Sequence, residues 1–202
     1  MFNLKNIAIV GGIVLIVVLG VVFFLAFDSE EKSTEPIGPV IAVPPMPKTL
    51  AEAVTLLDTS EILVAFLNEY FTIEERPGLI AYTPEEFYEK KKGAAHDFAV
   101  FTAHVLWKNR FEASVIRFNY RANGQEGTHT VAFFRDIDKP KYVTVTDAGV
   151  KMFPSGRSSA DLIKSEEQRL GVKIHQYIYF PADFGLIDLR EPVSGYDWIN
   201  IE

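Results

Sequence analysis

The period of the apolar positions changes repeatedly along this chain, and each change marks a different kind of element. Residues 7–27 form an apolar run with no charged side chain. A helix of that length, at about 1.5 Å per residue, covers the roughly 30 Å hydrocarbon core of a bilayer, so a transmembrane helix is expected there. From Leu50 the apolar residues recur at helical spacing, as Leu50, Ala53, Val54 and Leu57, then Ile62, Leu63, Phe66, Leu67 and Tyr70. That spacing predicts two short helices, with Ser60 as N-cap of the second. Thr83-Pro84-Glu85-Glu86 supplies a cap, a proline at the first helical position and early acids, so a third helix is expected to run to about Lys91 and end at Gly93. Phe98, Phe101, Thr102, Val105 and Leu106 mark the buried face of a fourth helix over 95–107.

Beyond that helix the period drops to two. Residues 113–120, 128–135 and 141–146 are β-branched and aromatic runs separated by Asn123-Gly124 and Asp138-Lys139-Pro140, which reads as antiparallel strands joined by turns. A further amphipathic helix over 158–170, capped by Ser158 or Ser159, and a strand over 173–180 follow. The mixed remainder is expected to pack through Ile187, Leu189 and Trp198. The fold class is therefore α+β, with helices packed on an antiparallel sheet behind an N-terminal transmembrane helix.

Three regions are expected: 1–27 as a signal anchor, 28–48 as a linker and 49–202 as the folded domain. Lys5 precedes the apolar run, and Asp28, Glu30 and Glu31 follow it. The excess of positive charge on the cytoplasmic side then places the N-terminus in the cytoplasm and the domain outside the cell membrane, as a single-pass protein. A cleaved signal would have a shorter apolar region, and no cysteine near position 28 could carry a lipid. The linker contains Pro36, Pro39, Pro44, Pro45 and Pro47, a density that favours an extended stalk.

Composition removes several function classes. With 27 Asp and Glu against 20 Lys and Arg the chain is acidic, so no nucleic-acid partner is expected. It has no cysteine, which excludes disulfides, thiolate metal sites and a thioester intermediate.

The remaining candidates lie in three places: Gly93-Ala94-Ala95-His96-Asp97-Phe98-Ala99 at the start of a helix, His129 on a later strand, and Asp147 at the end of the next. A hairpin centred near Asp138 sets Val131 opposite Val145 and His129 opposite Asp147, where directly opposed Cβ atoms lie about 4.5–5.5 Å apart. A carboxylate there could fix the imidazole's tautomer. A slip of one residue would put the two on opposite faces.

The order Thr83-Pro84-Glu85-Glu86-Phe87, Lys91-Lys92-Gly93-Ala94-Ala95-His96-Asp97-Phe98-Ala99, Thr128-His129-Thr130-Val131 and Tyr142-Val143-Thr144-Val145-Thr146-Asp147 resembles the transglutaminase-like superfamily of papain-related thiol enzymes. The resemblance covers roughly 49–150. In that family the helix opens with Gly-x-Cys-x-Asp-Phe-Ala, a histidine begins a strand and an aspartate ends the next. The resemblance implies a transglutaminase-like (papain-like) domain, with the family's histidine on His129, its aspartate on Asp147 and its cysteine on Ala95. A thiol at a helix N-terminus beside a histidine cation has a lowered pKa and attacks a carbonyl. A methyl group does neither, so the resemblance implies a relic triad in a pseudoenzyme.

Other groups are weaker candidates. His96 adjoins the gap but would need a second base, and Asp97 fits a bracing role in the helix start. Both are candidates for binding in the cleft. His96, His129 and Asp147 lack the short spacing of a zinc site, so no metal and no cofactor is expected. His104 and His175 read as surface and cross-strand residues, and Ser114, Ser158 and Ser159 lack a nucleophile elbow. The expected function is a membrane-anchored, catalytically silent domain that binds an extracytoplasmic peptide, protein or cell-wall component. The alternatives are a metal-dependent or other non-thiol hydrolase using His129 and Asp147, and a structural subunit of an envelope assembly.

Overall fold

The structure, a computed structural model, describes residues 41–136, 139–183, 188–190, 192 and 195–201. The chain divides into two units, Met1–Val40 and Ile41–Glu202, and the described residues belong to the second. The expected transmembrane helix and the first part of the linker lie outside them. Among the described residues no helix is long and apolar enough to cross a membrane.

Helices α1 (Leu50–Leu56), α2 (Ser60–Tyr70) and α3 (Pro84–Lys90) precede α4 (Ala95–Lys108). Two short strands, β1 (Thr72–Ile73) and β2 (Lys92–Gly93), pair in parallel immediately before α4. Strands β3 (Glu112–Ala122), β4 (Gln125–Asp136), β5 (Lys139–Thr146) and β6 (Gly149–Pro154) follow, then α5 (Ser159–Leu170), β7 (Lys173–Pro181) and β8 (Ile199–Asn200). They form one antiparallel sheet in the order β6-β5-β4-β3-β7-β8.

Caps explain where the helices start. Thr49 accepts from Glu52 N–H at the start of α1, and Thr83 and Glu86 form a reciprocal capping box on α3. The cap of α2 is Thr59, whose hydroxyl accepts from Ile62 N–H, in place of the expected Ser60. Ser60 is the first helical residue, and its hydroxyl donates to Glu61. Ser158 and Asp161 form the box on α5, and Gly171 closes that helix in the left-handed conformation.

The sheet separates two cores because strand side chains alternate between its faces. On one face Val115, Ala132, Phe134 and Val143 are buried with α4 residues such as Phe98, Phe101 and Leu106. On the other, Ile116, Phe118, Val131 and Tyr142 are buried with Leu162 and Ile163 of α5. Phe71, Phe87, Phe98 and Phe101 pack as an aromatic cluster under the start of α4. The Asn68 side chain exchanges two 2.8 Å hydrogen bonds with the backbone of Val150, which ties α2 to β6.

Three expectations change. The ladder between β4 and β5 runs from Asp136↔Lys139 to Ala132↔Val143, so the pairing of Val131 with Val145, and of His129 with Asp147, is one residue out. Only two residues separate the strands, and that shorter connection moves the register. Second, β6 and the β1–β2 pair were not read from the sequence, being too short to show a period. Third, packing begins before residue 49. Val43 and Met46 sit against the core, Tyr70 Oη donates to Pro44 O at 3.2 Å, and Tyr88 Oη donates to Pro47 O at 2.7 Å. Of the three residues expected to pack near the C-terminus, Leu189 is buried and Trp198 lies against the same core, while Ile187 lies outside the described residues.

Candidate functional site

The start of α4 is held by a single carboxylate. Asp97 is fully buried, and its Oδ2 accepts from the N–H of Ala94, the N-cap residue, at 2.8 Å. Its Oδ1 accepts from Tyr82 N–H at 2.7 Å and from Arg76 Nη2 at 2.6 Å, and Arg76 Nε donates to Oδ2 at 3.2 Å. Four donors on one carboxylate leave it a brace with no capacity for chemistry. Arg76 is fixed in turn by Ile80 O at 2.7 Å and by the Tyr82 ring 4.1 Å away. Gly93 is needed because a Cβ there would lie 2.7 Å from Asp97 Oδ2 and 2.9 Å from Phe87 Cε2.

His96 is buried, with Nε2 2.9 Å from Arg76 Nη2. Nη2 carries two hydrogens, which the shorter bonds to Asp97 Oδ1 and Ile80 O take, so His96 is a third, longer contact on the same nitrogen. Burial pushes the His96 pKa down, Asp97 opposes this and Arg76 adds to it. The ring is therefore neutral at neutral pH and packed against the guanidinium that braces Asp97.

Ala95 is the first residue of α4 and is half-buried. The N–H groups of Ala95 and His96 have no intrahelical acceptor, which leaves the positive end of the helix facing a cleft of about 610 Å³. Ile73, Pro77, Ala94, Ala95 and Val145 give it an apolar lining, and Glu74 and Glu75 lie on its wall. Glu74 pairs with Lys92 at 3.1 Å, whereas Glu75 is exposed and has no ion-pair partner among the described residues.

His129 is elsewhere. It shares the parity of Val131 and so faces α5, and the sheet lies between it and α4. Its Nε2 is 3.0 Å from Glu166 Oε2, 2.8 Å from Thr144 Oγ1 and 2.9 Å from Arg169 Nη2. A hydroxyl, an imidazole and a carboxylate thus meet, but Thr144 and Glu166 address the same ring nitrogen. A relay needs both nitrogens, one for the nucleophile and one for the acid, so this cluster is not a catalytic triad. Glu166 is fully buried; burial raises its pKa, but hydrogen bonds from Arg169 and His129 outweigh burial and hold it at about 2.

Asp147 lies in the exposed turn after β5. The structure therefore gathers Ala95, His96 and Asp97 in one place and His129 in another, and it does not pair His129 with Asp147. Among the described residues no three His, Asp or Glu side chains converge as a metal site would require. His104 is half-buried beside Trp107, and burial lowers its pKa. His175 Nε2 lies 2.9 Å from Glu126 Oε2.

Sequence reasoning missed Arg76, which sits in a loop without a periodic signal, and the Glu166–Arg169 pair, whose i,i+3 spacing on a helix was visible. It also missed Arg117, buried on the α4 face. Arg117 donates to Leu189 O and to Asn119 Oδ1 and lies 5.0 Å from the Trp198 ring, while its Nε has no partner among the described residues.

No curated protein matches the chain. Two solved structures similar to it are Legionella pneumophila LapG, at 19% identity and a TM-score of 0.40 over 68% of this chain and 70% of that one, and its EGTA-treated form, at 21% identity and a TM-score of 0.39 over 68% of each. The family described as "Transglutaminase-like domain" matches residues 48–171, more than half of the sequence, and the chain belongs to that family.

Proposed function

We propose that this chain is a membrane-anchored transglutaminase-like protein that does no thiol chemistry and binds an extracytoplasmic peptide in the cleft at the start of α4. The observation that carries the reading is Ala95. It stands at the first helical position, beside free N–H groups, with no thiol anywhere in the chain. Asp97 and His96 on either side of Arg76 are committed to holding that helix start, which supports a preserved cleft and gives no substitute nucleophile.

The ligand class follows from the lining. Ile73, Pro77 and Val145 suit an apolar side chain, and exposed Glu75 suits a neighbouring basic group. An extended segment that alternates leucine with lysine satisfies both. Calorimetric titration of the full-length chain in mild detergent with a Lys/Leu hexapeptide and its Glu/Leu counterpart tests this. Binding of the first alone, lost in Ala95→Phe and weakened about tenfold in Glu75→Lys, is the expected result. Binding that ignores both substitutions refutes the site.

The anchor is 1–27, with the N-terminus cytoplasmic and the domain outside, and the linker that follows it ends where core packing begins, at Val43. The apolar run supports this, as does the charge on its two sides. Full-length protein in membranes should resist alkaline extraction, and a chain lacking residues 7–27 should not sediment with membranes. Release of the full-length form would refute the anchor.

A further inference from the structure

His129 and the residue that faces α4 are neighbours in sequence and lie on opposite sides of the sheet. On β4, Ala132 and Phe134 are buried with α4, while Val131 is buried with α5. Carrying the alternation towards the start of α4 puts Thr130 on the α4 face and His129 on the other. Val145 of β5 shares the face of Val143 and lines the cleft beside Ala95. The β4–β5 ladder extends as far as Ala132↔Val143, so Thr130 and Val145 lie just past it, at the end where α4 begins.

Thr130 is only 4% exposed. Directly across β3 it opposes Arg117, the buried arginine of the same face. Thr130 is thus a buried polar side chain on the α4 face of β4, one step past the ladder and next to Val145, which lines the cleft with Ala95.

We propose that Thr130, and not His129, occupies the position of the base, so that this cleft lacks both the nucleophile and the base of a thiol reaction. This deepens the functional reading above and rests on the cleft at α4 being the family's site. A threonine hydroxyl neither accepts a proton near neutral pH nor becomes a cation that would stabilise a thiolate. Asp147, two residues beyond Val145 in the turn, is the one member left, with no imidazole to orient. Restoring the cysteine alone therefore leaves an unassisted thiol at a helix start, and restoring the base requires a histidine at 130.

The absence of natural cysteines makes an introduced thiol directly readable. Alkylation rate against pH would be measured on the full-length chain carrying Ala95→Cys, alone and combined with Thr130→His, Thr130→Asn or His129→Gln. The expected result is a thiol pKa at least about one unit lower with Thr130→His than with Ala95→Cys alone, or about tenfold more thiolate below both values, with no such shift for Thr130→Asn. The His129→Gln profile should coincide with that of Ala95→Cys. A folded Thr130→His variant without the shift overturns the assignment, as does a thiol pKa that rises on His129→Gln. If Thr130→His does not fold, the His129→Gln comparison decides alone. The titration needs no ligand, so it fails separately from the peptide experiment.

Discussion

Arg76 Nη2 lies 2.6 Å from Asp97 Oδ1, and this pair joins the loop after β1 to the first turn of α4. Asp97 is fully buried whereas Arg76 is 21% exposed, so the carboxylate depends on the pair more than the guanidinium does. Arg76→Ala leaves a buried charge with two backbone donors and should cost about 2–3 kcal/mol of stability by chemical denaturation. Arg76→Lys should recover little of it, because one ammonium cannot reach both Asp97 oxygens and Ile80 O in the fork geometry. A loss below about 0.5 kcal/mol for Arg76→Ala would show that Asp97 is satisfied without it.

Gly93→Ala places a methyl group against Asp97 Oδ2 and the Phe87 ring. Neither neighbour is the free end of a flexible chain, because Asp97 is held by four hydrogen bonds and Phe87 is in the aromatic cluster. A destabilisation of about 1–3 kcal/mol is expected, and thermal unfolding reads it. A neutral result would mean that the start of α4 gives way freely.

Acid should weaken the packing of α5 through Glu166. Its folded pKa, about 2, lies below the ordinary carboxyl value of 4.5. The stabilisation is therefore present above about pH 4.5 and is lost as pH falls from there through about 2, and it amounts to on the order of 3 kcal/mol. Glu166→Gln should flatten the fall in stability over that window in denaturant titrations at stepped pH. An unchanged slope would place the acid sensitivity in other carboxylates.

Tyr88→Phe removes the 2.7 Å hydrogen bond to Pro47 O and keeps the ring. The expected loss is about 1 kcal/mol, with faster proteolytic cleavage within 41–48 and no change of cleavage elsewhere. Cleavage at the parental rate would show that Val43 and Met46 hold the segment without the hydroxyl.

Much of the fold was legible because helices announce themselves locally. Thr83-Pro84-Glu85-Glu86 carries its own cap, and the period of Phe98, Phe101, Val105 and Leu106 fixes the buried face of α4. The sheet was legible as strands but not in register. With a side-chain period of two, a one-residue difference in the register of β5 against β4 takes Asp147 off the face of His129, and the alternation along β4 sets His129 on the α5 face. The segment 41–48 read as a stalk because proline spacing gives an extended backbone and says nothing of the donors, Tyr70 and Tyr88, that capture its carbonyls. Arg76 was illegible for a similar reason: its partners are 4 and 21 residues away in sequence, and only the folded loop brings them together.

Hydrogen exchange read by mass spectrometry on the full-length chain, with and without the Lys/Leu hexapeptide, tests the central claim most directly, because one sample reports both where the peptide sits and whether it survives. The expected result is slower exchange confined to 73–77 and the first turn of α4, with the peptide recovered intact. Protection elsewhere, or a peptide recovered cleaved, would contradict a binding cleft built around Ala95.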